Sequence, residues 1–391
     1  MTDSRELREA LVARLCETGA ITRDDVADAF ASVPREAFLA GGFRPGGTGP
    51  PLRPGDDAFV EAAYSDDALV TKVADGMPTS SSSQPSLMAL MIEAVDVRRG
   101  MRVLEIGAGT GYNAAVMAAL GALVTSVDAQ SDVAAAAALA LRSAGVTGAR
   151  VVPGDGYLGA PDGAPYDRVI VTVGVSGLSP HWMDQLAPGG QVVAPTRHAG
   201  ANPVLRAWHT DEGGVLAVAV CGAGFMPASG PLGADYPGAH PPRYEVRVAV
   251  PDDEPDAHRG RTEVPVQPAM RLPARWSPPM SQVRYADLWF AIGVWDRRAT
   301  MGAFEEGECV LDDPSGAAAI ARDGSVAGFG PAAFTVAADA AALIDRWTAA
   351  GAPLLSCWHA RLTLSGDPTA PIWVPATWAL ASSGPSDGRD A

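Results

Sequence analysis

The chain has 391 residues, 47% of them apolar, enough to bury a sizeable core and, on length, to form two domains or one core with a large extension. Its formal charge of −16 argues against a nucleic-acid or anionic-membrane partner, since both want a basic face. Cys16, Cys221, Cys309 and Cys357 lack CxxC spacing, which speaks against a disulfide framework or a zinc site.

In chain order, Leu7, Leu11, Val12 and Leu15 share one helical stripe over 5–17, and a second helix over 24–31 presents Val26, Ala29 and Phe30. The N-terminus is charged throughout and has no signal-peptide core, and no apolar run reaches the roughly 18 residues a membrane span needs. A cytoplasmic, soluble protein without metal is therefore expected. GGFRPGGTGPPLRPG, residues 41–55, reads as loop. The serine run 80–83 is linker-like in composition, but Gln84-Pro85 and a helical apolar pattern follow it directly. Ser83 or Gln84 would cap that helix, and its free amides would make an anion site. Lys72 is the only lysine, which reads as coding bias.

Beyond residue 100 strands and helices alternate. MRVLEIG, LVTSVD, ARVVPGD, DRVIVTVG and GGQVVAP read as strands, and 112–120, 132–143 and 181–186 as helices. This pattern predicts an α/β fold, a doubly wound parallel sheet covered on both faces. The stretch 204–225 reads as an antiparallel pair closing the sheet edge. From 227 to 279 the chain is rich in Pro, Gly and charge, with one strand-like segment, YEVRVAV. Helices over 285–294 and 337–350 and the strand-like HARLTL suggest a smaller α+β unit. The expected organisation is an N-terminal helical cap and substrate region over 1–82, a core over 83–232, a linker over 233–282, a C-terminal unit over 283–380 and a disordered tail over 381–391.

Glu105-Ile-Gly107-Ala-Gly109-Thr-Gly111 lies between the first of these strands and its helix. Glycines let the backbone approach a ligand closely, and the spacing is GxGxG, not the GxGxxG of pyrophosphate-binding turns. Asp128 ends the second strand, where a carboxylate can accept two ribose hydroxyls. Asp155 follows the third, within reach of an adenine amino group. Together they outline a pocket for a nucleoside without phosphates at the sheet edge. This combination resembles class I S-adenosylmethionine-dependent methyltransferases (Rossmann-like sheets). A dehydrogenase and a non-catalytic nucleoside-binding protein remain as alternatives.

ASVPREAFL, AYSDDAL, SSSSQPSLMALMIEAV, RVLEIGAGTGYNAAVMA, PGDGYLGAPDGAPYDRVIVTVGV and MDQLAPGGQVVAP occur in the order expected of protein-L-isoaspartate (D-aspartate) O-methyltransferases, a family that residues 20–230 resemble. The resemblance implies S-adenosylmethionine as cofactor, S-adenosylhomocysteine as product, and a peptide or protein substrate carrying Asp or isoAsp. It places Ser81, Ser82 and Ser83 in a substrate loop over the cofactor, with Ser83 as the serine that contacts the acceptor carboxylate. It assigns cofactor contacts to Gln84, Glu105, Gly107, Ala108, Gly109, Gly111, Asp128, Ala129, Asp155 and Gly156. Ser81 and Ser82 stand where the family has Thr and Ile, and the second change removes apolar cover.

The extra residues after the core resemble a branch that acts on ribosomally made, modified peptides. That branch methylates one Asp, which closes to aspartimide and opens to isoaspartate. Trp276, Trp289, Trp295, Trp347, Trp358, Trp373 and Trp378 are then candidate peptide anchors, and such tailoring is the expected function, with general isoaspartate repair as the alternative.

Overall fold

A computed structural model describes residues 3–47, 49–233, 267–304 and 307–381. The expected linker strand YEVRVAV and the expected disordered tail beyond 381 lie outside the described residues.

Helices α1 (Ser4–Glu17) and α2 (Asp24–Ser32) bury Leu11, Leu15, Val26, Ala29 and Phe30, the faces their periodicity predicts. Strands β1 (Arg44–Pro45), β2 (Leu69–Ala74) and β3 (Met77–Ser82) form a small antiparallel sheet, with the short helix α3 (Phe59–Ala63) between β1 and β2. The serine run is thus largely a strand, not a loop. Serine has little strand preference of its own. Here pairing with β2 supplies the order, with Leu69 opposite Ser82 and Val70 opposite Ser81. Helix α4 (Pro85–Ala94) follows.

The main sheet contains β4 (Arg102–Ile106), β5 (Leu123–Asp128), β6 (Ala149–Pro153), β7 (Tyr166–Val171), β8 (Leu186–Pro195), β9 (Pro203–His209) and β10 (Val215–Gly222). Helices α5 (Tyr112–Ala119), α6 (Ser131–Ser143) and α7 (Pro180–Asp184) connect them. Pairings among β4 to β8 are parallel, whereas β9 and β10 are antiparallel. After β10 come β11 (Met270–Leu272), α8 (Gln282–Trp295), β12 (Ala299–Phe304), β13 (Gly307–Asp313), β14 (Gly316–Ile320), β15 (Val326–Phe329) and α9 (Ala333–Ala349). Strands β11 to β15 make a separate sheet in the order β11-β15-β14-β13-β12.

The last strands, β16 (Trp358–Ser365) and β17 (Ile372–Leu380), return to the main sheet, whose order is β17-β16-β10-β9-β8-β7-β4-β5-β6. The β9–β10 pair therefore does not close the edge as expected, because β16 takes the free side of β10. One hydrophobic cluster runs from Val169 and Val192 in the main sheet to Leu311, Ile320 and Ile344 in the C-terminal part.

Candidate active site

Strands β4 and β7 are neighbours, and the chain winds outward from them in both directions, so a crevice opens beyond their carboxyl ends. The crevice is a cavity of about 580 Å³. On its sheet side lie Glu105, Gly107, Ala108, Gly109, Asp128, Ala129, Asp155 and Gly156; Ser81, Ser82, Ser83 and Gln84 line it as well. Of the residues expected at the site only Gly111 falls outside the lining. It caps α5 with φ +83, and an added Cβ would meet the Ala137 carbonyl at 3.3 Å, so its work is helix packing.

Glu105 is fully buried at the end of β4 and accepts hydrogen bonds from Asn113 Nδ2 at 2.7 Å and Ser126 Oγ at 2.5 Å. Burial pushes its pKa up to about 7, partly offset by those two donors, while Asp128 pushes it further up. Asp128 accepts from the amides of Gly109 (3.1 Å) and Gln130 (3.0 Å), which fixes the carboxylate at the cavity edge. Asp155 accepts the Tyr157 amide at 2.9 Å. Three lining residues carry a buried polar atom without a hydrogen-bond partner: Thr79 Oγ1, the Tyr112 hydroxyl and Asn113 Oδ1. They suit a polar ligand with donors of its own. The backbone lies very close here: a Cβ on Gly109 would sit 2.8 Å from the Ser81 carbonyl. Glycine cradle, paired acids and orphaned oxygens fit the adenosine and amino-acid ends of S-adenosylmethionine. Among the described residues, no group of three His, Cys, Asp or Glu side chains could hold a metal.

The sequence reading missed the groups that hold the serine strand. Arg35, from the VPREAF stretch, is fully buried. Its guanidinium donates to the carbonyls of Ala63 (3.1 Å), Ser65 (2.8 Å), Asp67 (2.9 Å), Ser82 (3.4 Å) and Ser83 (2.9 Å), and to Ser82 Oγ (3.3 Å). Burial lowers its pKa to about 10, so it stays charged at neutral pH. Ser82 is only 2% exposed, and its hydroxyl serves Arg35. On the other edge of the strand Gln130 Nε2 donates to the Thr79 carbonyl at 2.7 Å.

The helix cap also differs from expectation. Gln84 is the N-cap residue and Pro85 opens α4, but no cap side chain comes from either. Asp66 Oδ1 accepts the Ser86 amide at 2.8 Å, so one amide expected to be free for an acceptor carboxylate is occupied. A loop carboxylate distant in sequence supplies the negative charge the helix start favours.

A glycine turn after the first strand of a doubly wound sheet, with acids after the next two, defines a class I methyltransferase. Comparison with known proteins agrees. The protein-L-isoaspartate(D-aspartate) O-methyltransferase family model matches residues 54–231. The chain is 43% identical over 175 residues to the protein-L-isoaspartate O-methyltransferase of Thermotoga maritima, covering 44% of this chain and 50% of that one. To the protein of the same name from Methylorubrum populi it is 36% identical over 204 residues, covering 51% of this chain and 86% of the relative. A solved structure of a protein-L-isoaspartate O-methyltransferase aligns with 94% of this chain and 99% of its own, at a TM-score of 0.51 and 25% identity. The chain belongs to the protein-L-isoaspartate (D-aspartate) O-methyltransferase family, whose members are S-adenosylmethionine-dependent enzymes.

Proposed function

We propose that the protein methylates the free carboxylate of L-isoaspartyl residues in proteins and peptides, with S-adenosylmethionine as cofactor. The observation that carries this reading is the sharing of one cavity by the serine segment and the glycine turn. An acceptor held at Ser83 would lie beside the cofactor pocket.

An acceptor carboxylate with a pKa of roughly 4 is already ionised at neutral pH and needs no general base. When bound, the cofactor supplies an electrophilic sulfonium methyl group. The chain's own task is orientation and exclusion of water. In this reading the Ser83 hydroxyl donates to one acceptor oxygen and leaves the other to react. Asp128 holds the ribose hydroxyls, Asp155 faces the adenine amino group, and Glu105 with Asn113 faces the amino-acid end. Gln84, Ala108, Ala129 and Gly156 complete the cofactor wall. The cysteines are unpaired, in keeping with a reducing, cytoplasmic setting, which belongs to the proposal.

The narrower tailoring reading, methylation of one defined Asp in a ribosomally made peptide, keeps one supporting feature, the serines at 81 and 82. Its other supports fall away. The isoaspartate methyltransferase structure aligns over nearly the whole chain, extension included. The seven tryptophans belong to the hydrophobic core or pack against it, so they do not stand out as peptide anchors. Mass spectrometry of an isoaspartyl peptide and of a constrained Asp-containing peptide, each with S-adenosylmethionine, tests the choice. We expect a one-methyl gain on the isoaspartyl peptide, then loss of methanol. Methylation of the constrained Asp peptide alone would reverse the assignment.

A further inference from the structure

Asp155–Tyr157 begins at the cavity wall, and three hydrogen bonds brace this stretch from behind. Ser179 Oγ donates to the Tyr157 carbonyl at 2.6 Å, and Trp182 Nε1 donates to the Gly156 carbonyl at 2.7 Å. The third runs from the Tyr157 hydroxyl to the Pro371 carbonyl at 2.8 Å, in the loop of the β16–β17 hairpin. Two residues further along that hairpin, Leu178 and Trp373 exchange both backbone hydrogen bonds, at 2.9 and 2.8 Å. The contact is tight. A Cβ on Gly177 would lie 2.6 Å from the Trp373 carbonyl oxygen. Tyr157 is 5% exposed, and its ring stands edge-on to His181 at 5.2 Å between centroids. Its amide meanwhile orients Asp155. Among the described residues none after Leu232 lines the cavity, and those of the extension meet the site through this turn.

We propose that the C-terminal hairpin sets cofactor affinity, with Tyr157 as the positioning residue that ties Pro371 to the Asp155–Gly156 wall. The proposal rests on reading the cavity as the cofactor site. A rigid turn presents Asp155 already in place, and a loosened one must be ordered at a cost in binding.

The test uses full-length Tyr157→Phe and Gly177→Ala. S-adenosylhomocysteine Kd is measured by calorimetry, alongside acceptor KM at saturating cofactor. Loss of one net hydrogen bond should raise the Kd of Tyr157→Phe by roughly five- to tenfold. Gly177→Ala, which wedges the hairpin away, should raise it further, and acceptor KM should stay within about twofold of wild type in both. Hydrogen exchange on the wild type is a check independent of variant folding: S-adenosylhomocysteine should slow the amides of Ile372–Val374. Unchanged Kd in both variants, a raised acceptor KM with unchanged Kd, or no slowing in the hairpin would each overturn the coupling. Failure of the wild type to bind S-adenosylhomocysteine would instead overturn the cofactor reading.

Discussion

Glu105 has one carboxylate oxygen held by Asn113, the other by Ser126, and no exposure to water. Its folded pKa of about 7 lies above the ordinary 4.5. It therefore contributes stability below that ordinary value and loses the contribution as pH rises through about 7. A cation brought beside it favours the ionised form. Binding of a ligand whose ammonium lies at this carboxylate should then release a proton near neutral pH. We expect the heat of S-adenosylhomocysteine binding at pH 7 to depend on the buffer's ionisation enthalpy, and Glu105→Gln to remove that dependence. A buffer-independent heat in the wild type would rule it out. At Ser83 the expectation concerns turnover: Ser83→Ala should lower it on an isoaspartyl peptide by roughly tenfold or more, the loss of a hydrogen bond to a charged group. Near-normal turnover with an intact fold would leave the hydroxyl no acceptor role.

The serine strand is an element whose position depends on one buried cation. Arg35 ties the carbonyls of Ala63, Ser65 and Asp67, at and after the end of α3, to that of Ser83, just past β3. Lysine keeps the charge but lacks the planar fork that spans both segments. Arg35→Lys should raise acceptor KM by roughly tenfold while S-adenosylhomocysteine Kd moves by less than about twofold. Parallel loss of both affinities would mark Arg35 as a general fold support. Arg35→Met leaves several buried carbonyls unpaired and should cost about 3 kcal/mol in chemical denaturation. Helix α4 is held at both ends: Asp66 caps its start, and Arg206 and Arg168 donate to the carbonyls of Ala94 and Val95 at its end. Asp66→Ala should cost about 1 kcal/mol by the same measurement. None of these anchors was legible in the sequence. Neither the Arg in ASVPREAFL nor the Asp in AYSDDAL gives a sign of which distant carbonyls or which helix start it will serve.

At the scale of the molecule, the chain leaves the main sheet after β10 and builds α8, α9 and a second sheet. It then returns to add β16 and β17 beside β10. Val215, Ala217 and Ala219 of β10 are buried in the shared core. A chain ended at 233 would bare the β10 edge and this apolar face, an invitation to edge-to-edge association. We expect such a truncation to be aggregated by size-exclusion chromatography. A monodisperse monomer of native helix content would show the core to be self-sufficient.

The sequence alone determined the parallel sheet, its helices, the glycine turn and the acids at 105, 128 and 155. Each rests on local rules: β-branched runs, apolar periodicity, and glycine where backbone must approach a ligand. Only the tertiary structure decided that Thr79–Ser82 is a strand, that Ser82 faces Arg35, and that Asp66 caps α4. It also decided that the last hairpin hydrogen-bonds to Tyr157 and Leu178 beside the cavity. Each of those depends on partners distant in the chain, and neither periodicity nor spacing within a segment records which partner will arrive.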